Sequence, residues 1–105
     1  MSEDIDILRD VVAHFGLGEL ETVTGAAGGV RYRTKVRRPE ARKFIGDLCQ
    51  QLSEEGRVLP GGFLYYSDIL STPEIVTRMG EIMATEYYAA APDFVLTMET
   101  KGIPV

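Results

Sequence analysis

Apolar residues recur at helical spacing in three stretches of the chain. Ile5, Leu8, Val11, Val12 and Phe15 mark a first helix that opens at Ser2, a candidate N-cap, and stops at Gly16 and Gly18. Asp4 and Asp6 sit near its positive end, where the helix dipole favours carboxylates. Ala41, Phe44, Ile45, Leu48, Cys49 and Leu52 predict an amphipathic helix over 40–54, entered through Pro39. Ser71-Thr72-Pro73-Glu74 combines a hydroxyl cap, a first-turn proline and an early carboxylate. The stripe Ile75, Val76, Met79, Ile82, Met83 and Tyr87 continues that helix to about Ala90.

Between the helices the period changes to two. Residues 20–24 read as a short strand, and Gly25-Ala-Ala-Gly-Gly29 as a turn of small residues. Val30 to Val36 alternates strictly, so Val30, Tyr32, Thr34 and Val36 share one face while Arg31, Arg33 and Lys35 share the other. Three cations spaced about 7 Å apart on one hairpin face can follow a phosphate backbone. The same pattern also protects an edge strand from aggregation. Residues 57–66 read as an extended segment broken by Pro60, Gly61 and Gly62. The continuous run Phe94-Val-Leu-Thr-Met98 predicts a buried strand of a parallel sheet, with the preceding helix packed on it. The order helix, strand, glycine loop over 73–102 reads as the opening of an α/β domain whose remainder is missing.

Composition changes this picture in one respect. The chain has 105 residues, 45% apolar and 26% charged, which is ordinary for a globular protein. Its net charge of −5 speaks against a polyanionic partner, but the distribution is uneven. Arg31 to Lys43 holds seven of the eleven basic residues against one acid, Glu40, a local charge of +6, and leaves the remainder at −11. Local fields, rather than net charge, steer a polyanion. A solvated basic linker between two elements would have the same composition. One cysteine and one histidine allow neither an internal disulfide nor a metal cluster, and a cytoplasmic location is expected. No apolar run is long enough to span a membrane, and the acidic N-terminus carries no secretory signal.

Few residues suggest chemistry. Glu99, Thr100, Lys101 and Gly102 follow the predicted buried strand, the place where open α/β sheets bind ligands. A short glycine loop can turn backbone N–H groups toward a phosphate, with Lys101 adding charge, although a plain strand-to-helix turn has the same look. Tyr65 and Tyr66 beside Phe63 can stack on a base or sugar, or serve as core aromatics. Cys49 reads as a small core residue, His14 as a helix C-terminal partner, and Glu54 with Glu55 as a solvated helix end. No catalytic residue is identified.

Four runs carry a resemblance: Thr24-Gly-Ala-Ala-Gly-Gly-Val-Arg-Tyr32, Val58-Leu-Pro-Gly-Gly-Phe-Leu-Tyr65, Ser67-Asp-Ile-Leu70 and Thr100-Lys-Gly-Ile-Pro104. In order and spacing they resemble the bacterial purine operon repressor family, across essentially all 105 residues. The first two runs are the specific ones. The resemblance implies a winged-helix DNA-binding domain followed by a domain similar to type I phosphoribosyltransferases, working as a dimeric repressor of purine synthesis genes. Phosphoribosyl pyrophosphate is then the effector that weakens operator binding.

On that resemblance the fold class is an α+β or α/β fragment, the end of a winged helix followed by the opening helices and first strand of a phosphoribosyltransferase-like domain. Residues 1–38 would belong to the first and 39–105 to the second. Residues 2–15 would be the latter part of the recognition helix and 20–36 the wing. Arg31, Arg33, Lys35, Arg37 and Arg38 become candidate contacts to double-stranded DNA. Glu99, Thr100, Lys101 and Gly102 become the first pyrophosphate loop. The first two helices of a winged helix and the family's Asp-Asp ribose signature are missing, so a fragment truncated at both ends is expected. No enzyme activity, metal or cofactor is expected beyond the effector. Two other readings remain open: a fragment of a purine salvage phosphoribosyltransferase, and a small dimerising module that ignores DNA.

Overall fold

The computed structural model describes residues 2–16 and 18–105. The expected Ser2 side-chain cap lies outside what is described. The chain divides after Arg37 into two compact units.

The first unit is a helix and a hairpin. Helix α1 spans Ser2–His14 with Glu3 and Asp4 in its first turn, and His14 closes it in edge-to-face contact with Phe15, the ring centroids 5.0 Å apart. Strands β1 (Glu19–Val23) and β2 (Gly29–Arg33) pair antiparallel, with Leu20 opposite Tyr32 and Thr22 opposite Val30. The turn between them closes through the Gly28 N–H, which donates to the Gly25 carbonyl at 2.9 Å. Gly28 is obligatory there, since a Cβ would collide with the Val23 carbonyl. Gly18, buried and with φ of +145°, brings the chain under Tyr32, where a Cβ would meet the Arg33 carbonyl. Arg9 joins helix to hairpin: its Nη2 donates to Thr22 Oγ1 at 2.7 Å and its Nη1 to Asp6 Oδ1 at 2.9 Å. The apolar stripe of α1 stays largely open, with Ile7, Leu8, Val11 and Phe15 all exposed.

The second unit is built from short local pieces. Helix α2 (Arg38–Leu52) leads through a 3-10 turn at Glu55–Arg57 into a tight hairpin. Its strands are β3 (Val58–Leu59) and β4 (Phe63–Leu64), and the Gly62 N–H returns to the Leu59 carbonyl at 3.1 Å. Gly61 and Gly62 carry φ of +87° and +80°, which side-chain-bearing residues rarely adopt, so the turn needs both. Helix α3 (Ser67–Leu70) and helix α4 (Pro73–Tyr87) follow, and a 3-10 turn at Tyr88–Ala90 ends the helical part.

Arg57 organises this unit. It is buried and forms a bidentate pair with Asp68, Nη1 to Oδ1 at 2.8 Å and Nη2 to Oδ2 at 2.9 Å. Nη1 also donates to the Tyr65 carbonyl at 3.2 Å, while the Arg57 carbonyl accepts from the Tyr65 N–H at 2.7 Å. The β3–β4 hairpin is thereby closed at its base and fixed to α3. Hydrogen bonding from Arg57 holds the Asp68 carboxyl below its ordinary value, and Asp68 in turn raises Arg57.

Three expectations are corrected. The 94–98 run forms no strand and is not buried: Phe94 is 92% and Leu96 98% exposed. Among the described residues the two sheets are two-stranded and antiparallel, so no strand offers it backbone hydrogen bonds and α4 gains no sheet to cover. Cys49 is exposed rather than core, because no side chain of α2 becomes buried. Helix α4 lacks the expected hydroxyl cap: Thr72 Oγ1 donates back to the Asp68 carbonyl at 3.0 Å and Ser71 Oγ to the Ser67 carbonyl at 2.8 Å. Pro73 at the first turn remains its start signal.

Candidate nucleic-acid interface and phosphate loop

The β1–β2 register sets the charges of the hairpin. Glu19 lies opposite Arg33 and Glu21 opposite Arg31, all on one face. Arg33 is the centre of the resulting ladder. Its Nη2 is 2.6 Å and its Nε 2.8 Å from Glu19 Oε2, and Nε is 3.2 Å from Glu21 Oε1. Arg31 Nη2 reaches Glu21 Oε2 at 3.4 Å, and Lys35 Nζ lies 3.6 Å from Glu19 Oε2. Hydrogen bonding from Arg33 lowers the pKa of Glu19 below its ordinary value, so this carboxylate stays ionised.

The three cations therefore differ. Arg33 is only 19% exposed in its side chain, held between two acids, whereas Arg31 is 64% and Lys35 47% exposed. Arg31 and Lys35 can turn outward toward an anion, and Arg33 acts as a strut. Arg37 and Arg38 are exposed but do not belong to the hairpin: Arg37 closes the first unit and Arg38 opens α2 in the second. The basic window of the sequence is thus divided between two units. Glu19 and Glu21, not singled out from the sequence, are the residues that most alter its meaning. Their alternation in Glu19-Leu-Glu-Thr-Val23 was the available signal.

Residues 99–102 form an exposed turn, closed by the Ile103 N–H donating to the Thr100 carbonyl at 3.3 Å. Lys101 is exposed but not unpartnered. Its Nζ donates to Ser67 Oγ at 2.7 Å and lies 5.4 Å from the centroid of the Tyr66 ring. An ammonium bonded to a hydroxyl keeps two further N–H donors and leaves the hydroxyl hydrogen to be donated, a pair suited to phosphate oxygens. Sequence reasoning placed Lys101 here but not Ser67. Glu99, Thr100 and Gly102 are exposed residues of the same turn. Tyr65 is exposed, beside the Arg57 clamp rather than in the loop. Among the described residues no group of His, Cys, Asp and Glu could hold a metal, and no helix is long and apolar enough to cross a membrane.

The chain is similar to known proteins. The family described as bacterial purine repressor, N-terminal, matches residues 1–34. Over all 105 residues the chain is 41% identical to the purine biosynthesis transcriptional repressor PurR of Bacillus subtilis, covering 37% of that protein. It is equally similar, at 41%, to a probable purine biosynthesis transcriptional regulator of Streptococcus pneumoniae, covering 38% of it. A purine biosynthesis transcriptional activator of Lactococcus lactis is 39% identical, with 39% of its length covered. The chain therefore spans less than two fifths of the relatives it matches, and their names are those of transcription regulators rather than enzymes.

Proposed function

We propose that this chain, a member of the bacterial purine repressor family, serves a transcription regulator of purine biosynthesis genes. In this reading the β1–β2 hairpin is a wing that lies along the backbone of duplex DNA, and the 99–102 loop receives the pyrophosphate of phosphoribosyl pyrophosphate. The relatives are named as repressor, regulator and activator, and the two contacts serve either sign of control.

The observation that carries the proposal is the exposure of Arg31, on strand β2, and of Lys35, just beyond it, each held only loosely by a carboxylate and inside or bordering the stretch that matches the family. Cations so exposed gain affinity by releasing counterions condensed on DNA, a term independent of sequence. Arg37, which closes the same unit, adds a further exposed cation, and Arg38 belongs to the second unit. Two copies of the chain would place two wings on one duplex, as a dimeric regulator requires.

Effector binding follows from the second site. The loop backbone offers N–H groups, Lys101 neutralises charge, and Ser67 shares the same anion. Tyr66 beneath the ammonium keeps it from wandering.

The test is the salt dependence of binding to a mixed-sequence duplex. The double substitution of Arg31 and Lys35 by Ala, which leaves the Arg33 strut in place, is expected to flatten the slope of log K against log salt by about 0.9 per lost phosphate contact. An unchanged slope overturns the wing. For the loop, Lys101→Ala is expected to weaken titration with phosphoribosyl pyrophosphate; equal affinity overturns that assignment, and turnover of the effector with a purine base would favour an enzyme instead.

A further inference from the structure

The hairpin face holds a contradiction for a DNA-binding surface: two carboxylates sit among its three cations. We propose that Glu19 and Glu21 are internal competitors for phosphate, so that the wing engages DNA by exchanging carboxylate for phosphate on Arg31 and Lys35. This rests on the wing reading above and specifies how that surface is tuned.

Geometry supports it in three ways. The acids are in register with the cations, Glu19 opposite Arg33 and Glu21 opposite Arg31, so the pairing is built into the strands rather than a chance meeting of long side chains. The contacts are graded. Arg33 is held at 2.6 Å by Glu19 and at 3.2 Å by Glu21, whereas Arg31 and Lys35 are held at 3.4 and 3.6 Å and are far more exposed. The tight member orders the acids, and the loose members are those a phosphate can capture. Chemically, a carboxylate and a phosphate oxygen are alternative acceptors for the same N–H donors. A carboxylate left beside a bound phosphate is repelled by it, so the acids lower affinity throughout the encounter.

The consequence is a weak sequence-independent component. A face with three cations and two acids carries a net charge of +1, and non-specific attraction scales with phosphates neutralised. Regulators depend on the ratio of specific to non-specific binding. The acids thus lower the sequence-independent part of the affinity and leave more of the discrimination to contacts outside the wing.

A purely structural role predicts the opposite. If Glu19 and Glu21 served only to pin the hairpin, removing them would loosen the wing and reduce DNA affinity. The experiment compares the 105-residue chain with Glu19→Gln, Glu21→Gln and the double variant, by fluorescence anisotropy on a mixed-sequence 20-base-pair duplex. Glutamine keeps shape and acceptor while removing charge. At about 10 mM salt, where screening extends about 30 Å, each substitution is expected to raise affinity roughly threefold, the Coulomb factor for unit charges about 7 Å apart in water. The double variant is also expected to steepen the salt slope, by about one for each charge removed.

Cross-strand nuclear Overhauser contacts between residues 19–23 and 29–33 verify that the hairpin persists. Where a variant loses them, Glu21→Gln alone decides, because Glu19 retains Arg33. Affinity that is equal or lower with the hairpin intact overturns the proposal. The Arg31→Ala, Lys35→Ala double variant, with the Arg33 strut intact, separates the failures: if it leaves the salt slope unchanged, the wing reading itself falls, whereas a flattened slope with inert glutamine variants removes only the competition.

Discussion

Arg31 and Arg33 are two residues apart on one strand and carry the same group, yet the structure assigns them different work. Replacing Arg33 by Ala removes contacts of 2.6 and 2.8 Å to Glu19 and one of 3.2 Å to Glu21, leaving two carboxylates side by side. Charge-assisted hydrogen bonds contribute about 1.5–3 kcal/mol when sheltered, and exposed ion pairs about 0–1 kcal/mol. Arg33 is sheltered but Glu19 is more than a third exposed, so the cost lies between these limits, about 1–2 kcal/mol. Arg31, with one 3.4 Å contact and an exposed side chain, contributes about 0.5 kcal/mol or less to the hairpin. The assay is amide hydrogen exchange across residues 19–23 and 29–33. Arg33→Ala is expected to accelerate exchange roughly tenfold, equivalent to about 1.4 kcal/mol, and Arg31→Ala less than threefold. Equal acceleration by the two, or none by Arg33→Ala, refutes the assignment of Arg33 as strut.

Gly18→Ala should destabilise the first unit by roughly 1–3 kcal/mol, seen as a lower thermal midpoint, because of its positive φ and the blocked approach to the Arg33 carbonyl. The hairpin should also respond to acid: Glu19 has its pKa lowered from 4.5 in the folded state, so its contribution is complete above 4.5 and disappears as pH falls through the lowered value, as cross-strand chemical shifts followed from pH 6 to 2 will report. Asp68→Asn should open the Arg57 clamp, with loss of protection at the Tyr65 amide, while unchanged protection would show the backbone pair to be sufficient. Leu96→Lys is expected to reduce self-association in sedimentation velocity, since it interrupts the exposed Phe94–Met98 run.

The sequence showed local periodicity well and covering layers poorly. Stripes through Ile5–Phe15, Ala41–Leu52 and Ile75–Tyr87 predicted helices that the structure contains, within two or three residues at each end. The alternation of Arg31, Arg33 and Lys35 predicted a cationic face, and the register bears out that Arg31 and Arg33 share one. Periodicity says which residues share a face, but not what lies across from it. Hence nothing in the alternation singles out Glu19 and Glu21, although a paired strand must place something opposite each arginine. Periodicity places Cys49 and Phe94–Met98 in a core only if apolar surface finds a partner. Among the apolar residues described, Val36 and Ile69 are buried. In the sequence Arg57 marks only the start of an extended segment, because nothing in a lone arginine announces a bidentate partner eleven residues on.

That separation of eleven residues has a kinetic meaning. The Arg57 clamp closes a loop short enough to form within about 10–100 ns, and its further bonds to Tyr65 span eight residues. Residues 57–68 can therefore reach their final arrangement before any distant part of the chain has been found. As the chain leaves the ribosome at about 5–20 residues per second, this knot is tied seconds before Phe94 to Met98 emerges. The apolar run then enters solution behind a finished scaffold rather than beside an unfolded one. The order of events, local clamp first and exposed apolar run afterwards, limits the time in which that run can meet an unfolded clamp.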